Sequence, residues 1–140
     1  MSRVIAVANQ KGGIGKTTTA VNIAFDLAEM GKKVLLIDTD GQCNSTDTCR
    51  AQVEGVATLY DLLFENERAS ECIQHMEKLD VIASDKLLKN PETKFPDDAT
   101  RLFTLSDACE GIREQYDFII IDCPPALGML TINSMTAADT

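Results

Sequence analysis

The chain has 140 residues, 44% hydrophobic and 25% charged, a balance that suits a soluble globular domain and excludes a disordered, collagenous or disulfide-framework chain. Its net charge is −9, split as six basic against five acidic side chains over residues 1–50 and seven against seventeen over 51–140. The clustered Lys and Arg on which binding to a nucleic-acid backbone depends are absent, so the chain as written is a poor nucleic-acid binder.

The opening residues Met1-Ser2-Arg3 and the apolar run 4–8 lack the apolar core and cleavage site of a signal peptide. No stretch approaches the ~20 apolar residues of a membrane span, so a cytoplasmic protein without a membrane role is expected. Cys43, Cys49, Cys72, Cys109 and Cys123 are odd in number and show no C-x-x-C spacing, which fits reduced thiols.

Two apolar patterns alternate along the chain. Runs rich in β-branched residues at 4–8, 34–37, 79–83 and 118–121 read as strands, and their lack of in-out alternation suits parallel strands covered on both faces. Within 17–30, Ala20, Ile23, Ala24, Leu27 and Ala28 recur at helical spacing, and Gly31 is placed to stop that helix at C′. A second helix is predicted over 59–64 with Thr58 as N-cap, and weaker helical character over 69–76 makes His75 an exposed helix residue. Pro91, Pro96 and six charged residues mark 86–98 as an irregular surface loop. A third helix over 99–115 sets Leu102, Leu105, Cys109 and Ile112 on one stripe. Pro124-Pro125 ends the last strand, and 127–138 can form a final helix. This alternation predicts an α/β doubly wound fold around a mostly parallel sheet. Four strands are few for that class and the pattern calls for another after 138. Residues 1–140 are therefore expected to be a single, incomplete domain whose C-terminal strands are missing, prone to associate through an open sheet edge.

The sharpest chemical signal is Lys11-Gly12-Gly13-Ile14-Gly15-Lys16-Thr17-Thr18 between a predicted strand and a predicted helix. Glycines there let backbone N–H groups curl around phosphate oxygens, the helix N-terminus adds partial positive charge, Lys16 offers an ammonium, and the Thr17 hydroxyl suits Mg²⁺. The strict G-x-x-x-x-G-K-[ST] pattern fails because Gln10 occupies its first glycine, and Lys11 adds a lysine at the front of the loop. The plain alternative, a glycine-rich turn with two solvated lysines, fits the strand-to-helix context less well. The second signal is Asp38-Thr39-Asp40 at the exit of the second strand, where ligands of open α/β sheets bind. Asp38 is a candidate for the Mg²⁺ water shell, and Asp40 for orienting a water on the terminal phosphate. The third is Phe118-Ile119-Ile120-Ile121-Asp122, an apolar strand ending in an acid that can bind Mg²⁺ directly or through water.

In this order the three motifs resemble the ParA/MinD family of deviant Walker A P-loop ATPases, and within it the ParA/Soj partitioning branch. The residues that carry the likeness are 11–18, 34–40 with Gln42 and Asn44, and 116–125 with the tail 127–134. The resemblance implies ATP and Mg²⁺ as cofactors, hydrolysis of ATP to ADP and phosphate, and an ATP-dependent homodimer. Lys11 would reach the partner's nucleotide, and Gly12, Gly13, Ile14, Gly15, Lys16, Thr17 and Thr18 would hold the phosphates, with Thr18 at the α-phosphate. Asp40 would position the attacking water, and Asp122 would complete the metal site with Thr17 and Asp38. It also implies a role in plasmid or chromosome segregation, a ParB-like activating partner and association with the nucleoid, with nonspecific DNA contacts and the adenine pocket beyond Thr140. Family members run to ~250 residues as one α/β domain. The family usually reads Asp-Pro-Gln-Gly-Asn where this chain has Asp40-Gly41-Gln42-Cys43-Asn44, a departure that bears on the rigidity of that segment.

Other readings carry less weight. A truncated, noncatalytic interaction module and a MinD-like positioning ATPase are the alternatives in function, the tail after Pro125 favouring the partitioning branch. Cys72-x-x-His75 supplies two candidate ligands where a structural zinc site needs four. Cys123 reads as a small buried apolar residue.

Overall fold

The most apolar segments of the chain form the middle of the sheet. In the computed structural model, which describes residues 2–8, 14–125 and 127–140 with the side chains of 14–18 excepted, the strands are β1 (Arg3–Val7), β2 (Val34–Asp38), β3 (Ile73–His75), β4 (Asp80–Ile82) and β5 (Phe118–Asp122). They lie in the order β1-β5-β2-β4-β3, all parallel except β3, which runs antiparallel to β4. The central β2 is buried at every position.

Helices α1 (Ile14–Glu29), α2 (Asn44–Thr48), α3 (Leu59–Phe64), α4 (Ala69–Cys72), α5 (Thr104–Cys109) and α6 (Met129–Ala137) complete the order. The period-2 alternation of strand side chains divides the core in two. Val34, Leu36, Val81 and Ile120 meet Ala20, Val21 and Ala24 of α1 on one face. Leu35, Ile37, Ile119 and Ile121 meet Leu59, Leu62, Leu105, Cys109 and Leu130 on the other. The α/β doubly wound expectation is met, and each fully buried aliphatic side chain contributes about 1.5–3 kcal/mol.

Two predicted helix signals are realised. Gly31 has φ 84°, with Gly31 N donating to Ala28 O at 3.0 Å and Lys32 N to Leu27 O at 3.2 Å, the paired bonds of a Schellman stop. Thr58 precedes α3, and its N–H is held by Asp61 Oδ2 at 2.8 Å.

Several expectations are corrected. Segment 69–76 is helical only to Cys72 and then becomes β3, because pairing with β4 supplies backbone partners that a short solvent-exposed helix lacks. The sheet thus has five strands among the described residues, and exposed His75 sits on an edge strand, its Nδ1 3.0 Å from Asp80 Oδ1. Segment 99–115 breaks into a 3-10 turn (Ala99–Phe103), α5 and a second turn (Arg113–Gln115). The buried Asn133 side chain accepts from Leu105 N at 3.0 Å and caps the start of α5 as a separate helix, and Gly111 lies just past its end. Segment 86–98 contains 3-10 turns at Lys86–Lys89 and Glu92–Lys94 and is anchored by buried Leu88 and Phe95. The Phe95 ring meets Phe64 edge-on at 5.0 Å. Helix α2 was not expected at all.

The outer edge of β1 is met by the last residues of the chain. Asp139 N donates to Val4 O at 2.7 Å and Ala6 N donates to Thr140 O at 3.0 Å. Arg113 fixes Asp139 through a 2.5 Å ion pair.

Candidate functional site

Three strands end side by side where the sequence places its chemistry. Val7, Asp122 and Asp38 are in register across β1, β5 and β2, and α1 begins at Ile14, directly after the glycine pair of the loop. Lys11, Gly12 and Gly13 lie outside the described residues. Ile14, Gly15, Lys16, Thr17 and Thr18 form the first turns of α1, their side chains likewise outside the description. The strand before these residues and the helix after them, as expected around a phosphate loop, are therefore present.

Asp38 and Asp122 are fully buried neighbours, and Asp40 is 7% exposed. Desolvation, with repulsion from Asp122 as a lesser cause, pushes the Asp38 carboxyl up to about 7 despite the bonds from Thr46 that favour its ionised form. Two adjacent buried carboxylates are costly to ionise unless a cation or donors compensate them.

The donors come from α2 and the exit of β4. Thr46 N and Oγ1 donate to Asp38 Oδ2 at 2.9 and 2.7 Å, and Asp40 N donates to Asp38 Oδ1 at 3.0 Å. Ser45 Oγ donates to Asp122 Oδ2. Ser84 N donates to Thr46 Oγ1 at 2.9 Å, and Ser84 Oγ donates to Asp40 O at 2.7 Å. Gln42 N donates to the Asp40 carboxylate at 3.0 Å. Ser45, Thr46 and Ser84 are fully buried. Sequence reasoning missed all three. Ser45 and Thr46 follow the acidic strand exit closely enough to have been suspected, but no local signal marks Ser84.

The departure at Gly41 and Cys43 has a structural basis. A Cβ on Gly41 would lie 2.7 Å from Lys89 N, 2.8 Å from Lys89 Cγ and 3.0 Å from Leu88 C, so the close approach of the 86–89 turn requires glycine. Cys43 takes the left-handed conformation (φ 62°, ψ 27°) and is buried, a conformation glycine adopts without cost. The segment is held from both sides, and Cys43 N donates to Asp40 O at 2.8 Å.

The remaining candidates lie elsewhere. All five cysteines are buried, and burial pushes the Cys43, Cys49 and Cys72 thiols up to about 11 and Cys109 up to about 12, so these four are not nucleophiles near neutrality. Cys123 is fully buried beside Asp122, as expected of a small apolar residue. Among the described residues no three His, Cys, Asp or Glu side chains group around a metal position, and no helix is long and apolar enough to cross a membrane.

Comparison with known proteins agrees with this geometry. A family model described as an AAA domain matches residues 2–140. The chain is 43% identical to the sporulation initiation inhibitor protein Soj of Bacillus subtilis over 145 residues, covering all of this chain and 56% of that protein. It is 46% identical to the chromosome partitioning protein ParA of Caulobacter vibrioides over 142 residues, covering 98% and 53%. The structure superposes on cobyrinic acid a,c-diamide synthase from Mycobacterium smegmatis, solved with a bound ATP analogue and magnesium, with a TM-score of 0.92 and 34% identity over 99% of this chain and 57% of that one. The chain spans about half the length of the relatives it matches. The paired strand-end acids and these matches together make the chain a member of the AAA-domain family, of the ParA/Soj type.

Proposed function

We propose that this chain binds Mg·ATP at the C-terminal edge of its sheet and hydrolyses it, within an ATP-dependent homodimer, to drive partitioning of plasmid or chromosomal DNA. The observation that carries the reading is the alignment of Val7, Asp122 and Asp38 across three adjacent strands, with α1 starting at Ile14 within the glycine-rich motif. Ligands of open α/β sheets collect at that edge.

The donor set fits Mg²⁺. Asp38 and Asp122 are hard oxygen ligands held side by side, and the resistance of Asp38 to ionisation is the strain that a cation relieves. They would hold the ion with the Thr17 hydroxyl, and bound Mg²⁺ supplies neutralisation of phosphate charge. Lys16 binds the β- and γ-phosphates, Gly12, Gly13, Ile14 and Gly15 present backbone N–H groups, and Thr18 contacts the α-phosphate. Lys11 reaches the nucleotide of the partner subunit. Asp40 orients the attacking water, its segment fixed by Ser84, Gln42 and Cys43. The reading includes a ParB-like activating partner and a protein that works in the cytoplasm on the nucleoid. Residues 1–140 then form part of one P-loop domain, with nonspecific DNA contacts assigned to sequence beyond Thr140.

Titration of the intact protein with a fluorescent ATP analogue tests the site. Lys16→Ala removes a charge-assisted phosphate contact of about 1.5–3 kcal/mol, a loss of affinity of about tenfold or more. Equal affinity for the variant and its parent refutes phosphate binding at this loop.

A further inference from the structure

We propose that Thr46 and Ser84 form a hydroxyl clamp that positions Asp40 for hydrolysis, and that the Ser84 hydroxyl is a positioning group of the reaction that is not needed to hold the nucleotide. The inference rests on Asp40 as the water-orienting carboxylate of the proposed function. Its basis is a closed ring of hydrogen bonds. Asp38 Oδ1 accepts from Asp40 N at 3.0 Å, Asp40 O accepts from Ser84 Oγ at 2.7 Å, Ser84 N donates to Thr46 Oγ1 at 2.9 Å, and Thr46 Oγ1 donates to Asp38 Oδ2 at 2.7 Å. Asp38, Thr46 and Ser84 are fully buried and Asp40 is nearly so. Bonds closed into a ring away from water reinforce one another and leave few alternative geometries.

The ring joins elements distant in sequence. Ser84 follows β4 by two residues, so Asp40 is tied to β4 as well as to its own strand. Beyond Ser84, Asp85 caps the 86–89 turn by accepting from Leu87 N at 3.0 Å, and that turn abuts Gly41. The exit of β4 therefore grips Asp40-Gly41 at two points, the Ser84 hydroxyl and the Lys89 backbone. Removing the Ser84 hydroxyl leaves the bonds to Asp38 from Thr46 N, Thr46 Oγ1 and Asp40 N in place, which is why nucleotide affinity is separable from it.

The test is a graded series in the intact protein, Ser84→Cys and Ser84→Ala, read by ATP-analogue affinity, single-turnover phosphate release and melting. The thiol keeps the size with a weaker donor, and alanine removes the donor. The expected hydrolysis rates fall in the order Ser, Cys, Ala, with Ser84→Ala down by about 10- to 100-fold, as for a small misplacement of a reacting group. Nucleotide affinity stays within about twofold of the parent. A parental rate in Ser84→Ala overturns the proposal, as does a proportionate fall in affinity and rate. Loss of cooperative melting in both variants assigns Ser84 to folding alone and overturns it too. Asp40→Ala run alongside separates the layers: a parental rate there removes the water-orienting assignment itself, whatever Ser84 does.

Discussion

Gly41→Ala isolates one contact at the site. The added methyl would stand 2.7 Å from Lys89 N and 3.0 Å from Leu88 C, both backbone atoms, and 2.8 Å from Lys89 Cγ. Ordinary carbon contacts lie at about 3.5–4.0 Å, so the two segments must separate by more than about half an ångström. Neither yields easily. Leu88 is buried at 2% exposure, and Asp40 next to Gly41 is held by Ser84 and Cys43. Overpacking of this kind costs about 1–3 kcal/mol, which lowers Tm by about 3–10 °C in a chain of this size. Phosphate release should slow as well, because the shift falls on the segment carrying Asp40. Gly111→Ala is the control. Its Cβ meets nothing within 4 Å and its φ is not positive, so stability should hold or rise, by up to about 1 kcal/mol through lost unfolded-state entropy. Scanning calorimetry with phosphate release reads both. A Gly41→Ala protein that melts with its parent and hydrolyses at the parental rate would refute the close approach as the reason for glycine.

Three further outcomes are expected. Cys43→Gly should leave stability within about 1 kcal/mol, relief of the left-handed backbone offsetting a lost buried thiol, whereas Cys43→Val should cost about 1–3 kcal/mol. Equal melting of the two variants would contradict the conformation at residue 43. The Asp38 carboxyl carbon, followed by NMR in the nucleotide-free protein, should titrate near 7. Since its folded value is raised above the unfolded one, its contribution to stability is complete below about 4 and is lost as pH rises through about 7, and a midpoint near 4 would remove the desolvation argument. Asp40→Ala should bind ATP and dimerise yet turn over poorly, whereas Lys11→Ala should bind ATP and remain monomeric, as light scattering beside phosphate release would report. Dimerisation of Lys11→Ala at the parental ATP concentration would remove the role assigned to that lysine.

The elements legible in the sequence are those whose signals are local and repeated. A buried parallel strand is apolar at every position, so β2 and β5 are visible without a fold, and α1 shows both its stripe and its Gly31 stop. Segment 69–76 misleads because its four-residue helix and three-residue strand are each too short for either period to establish itself. What decides the strand is β4, a partner that no local window contains. The 99–115 stripe is real, with Leu105, Cys109 and Ile112 buried on one side. Its break depends on Asn133 reaching back across about thirty residues to cap α5.

The site divides along the same line. Its acids are legible because each closes an apolar run, and the sheet register needed only β1, β5 and β2 to be neighbours to bring Asp122 beside Asp38. The groups that hold those acids are harder to read because a hydroxyl carries no pattern of its own: only closeness to the strand exit marks Ser45 and Thr46, and nothing local marks Ser84. Ser45, Thr46 and Ser84 become meaningful only when α2 and the exit of β4 converge on the same strand ends. That convergence also explains why the Asp40-Gly41-Gln42-Cys43-Asn44 variant is consistent with an ordered segment. A proline would restrict position 41 through its own ring, whereas here the constraint comes from outside, from the Lys89 backbone against Gly41 and from hydrogen bonds on each side of it. Rigidity supplied by neighbours requires the smallest residue at the point of contact, and that is the reason for glycine at 41.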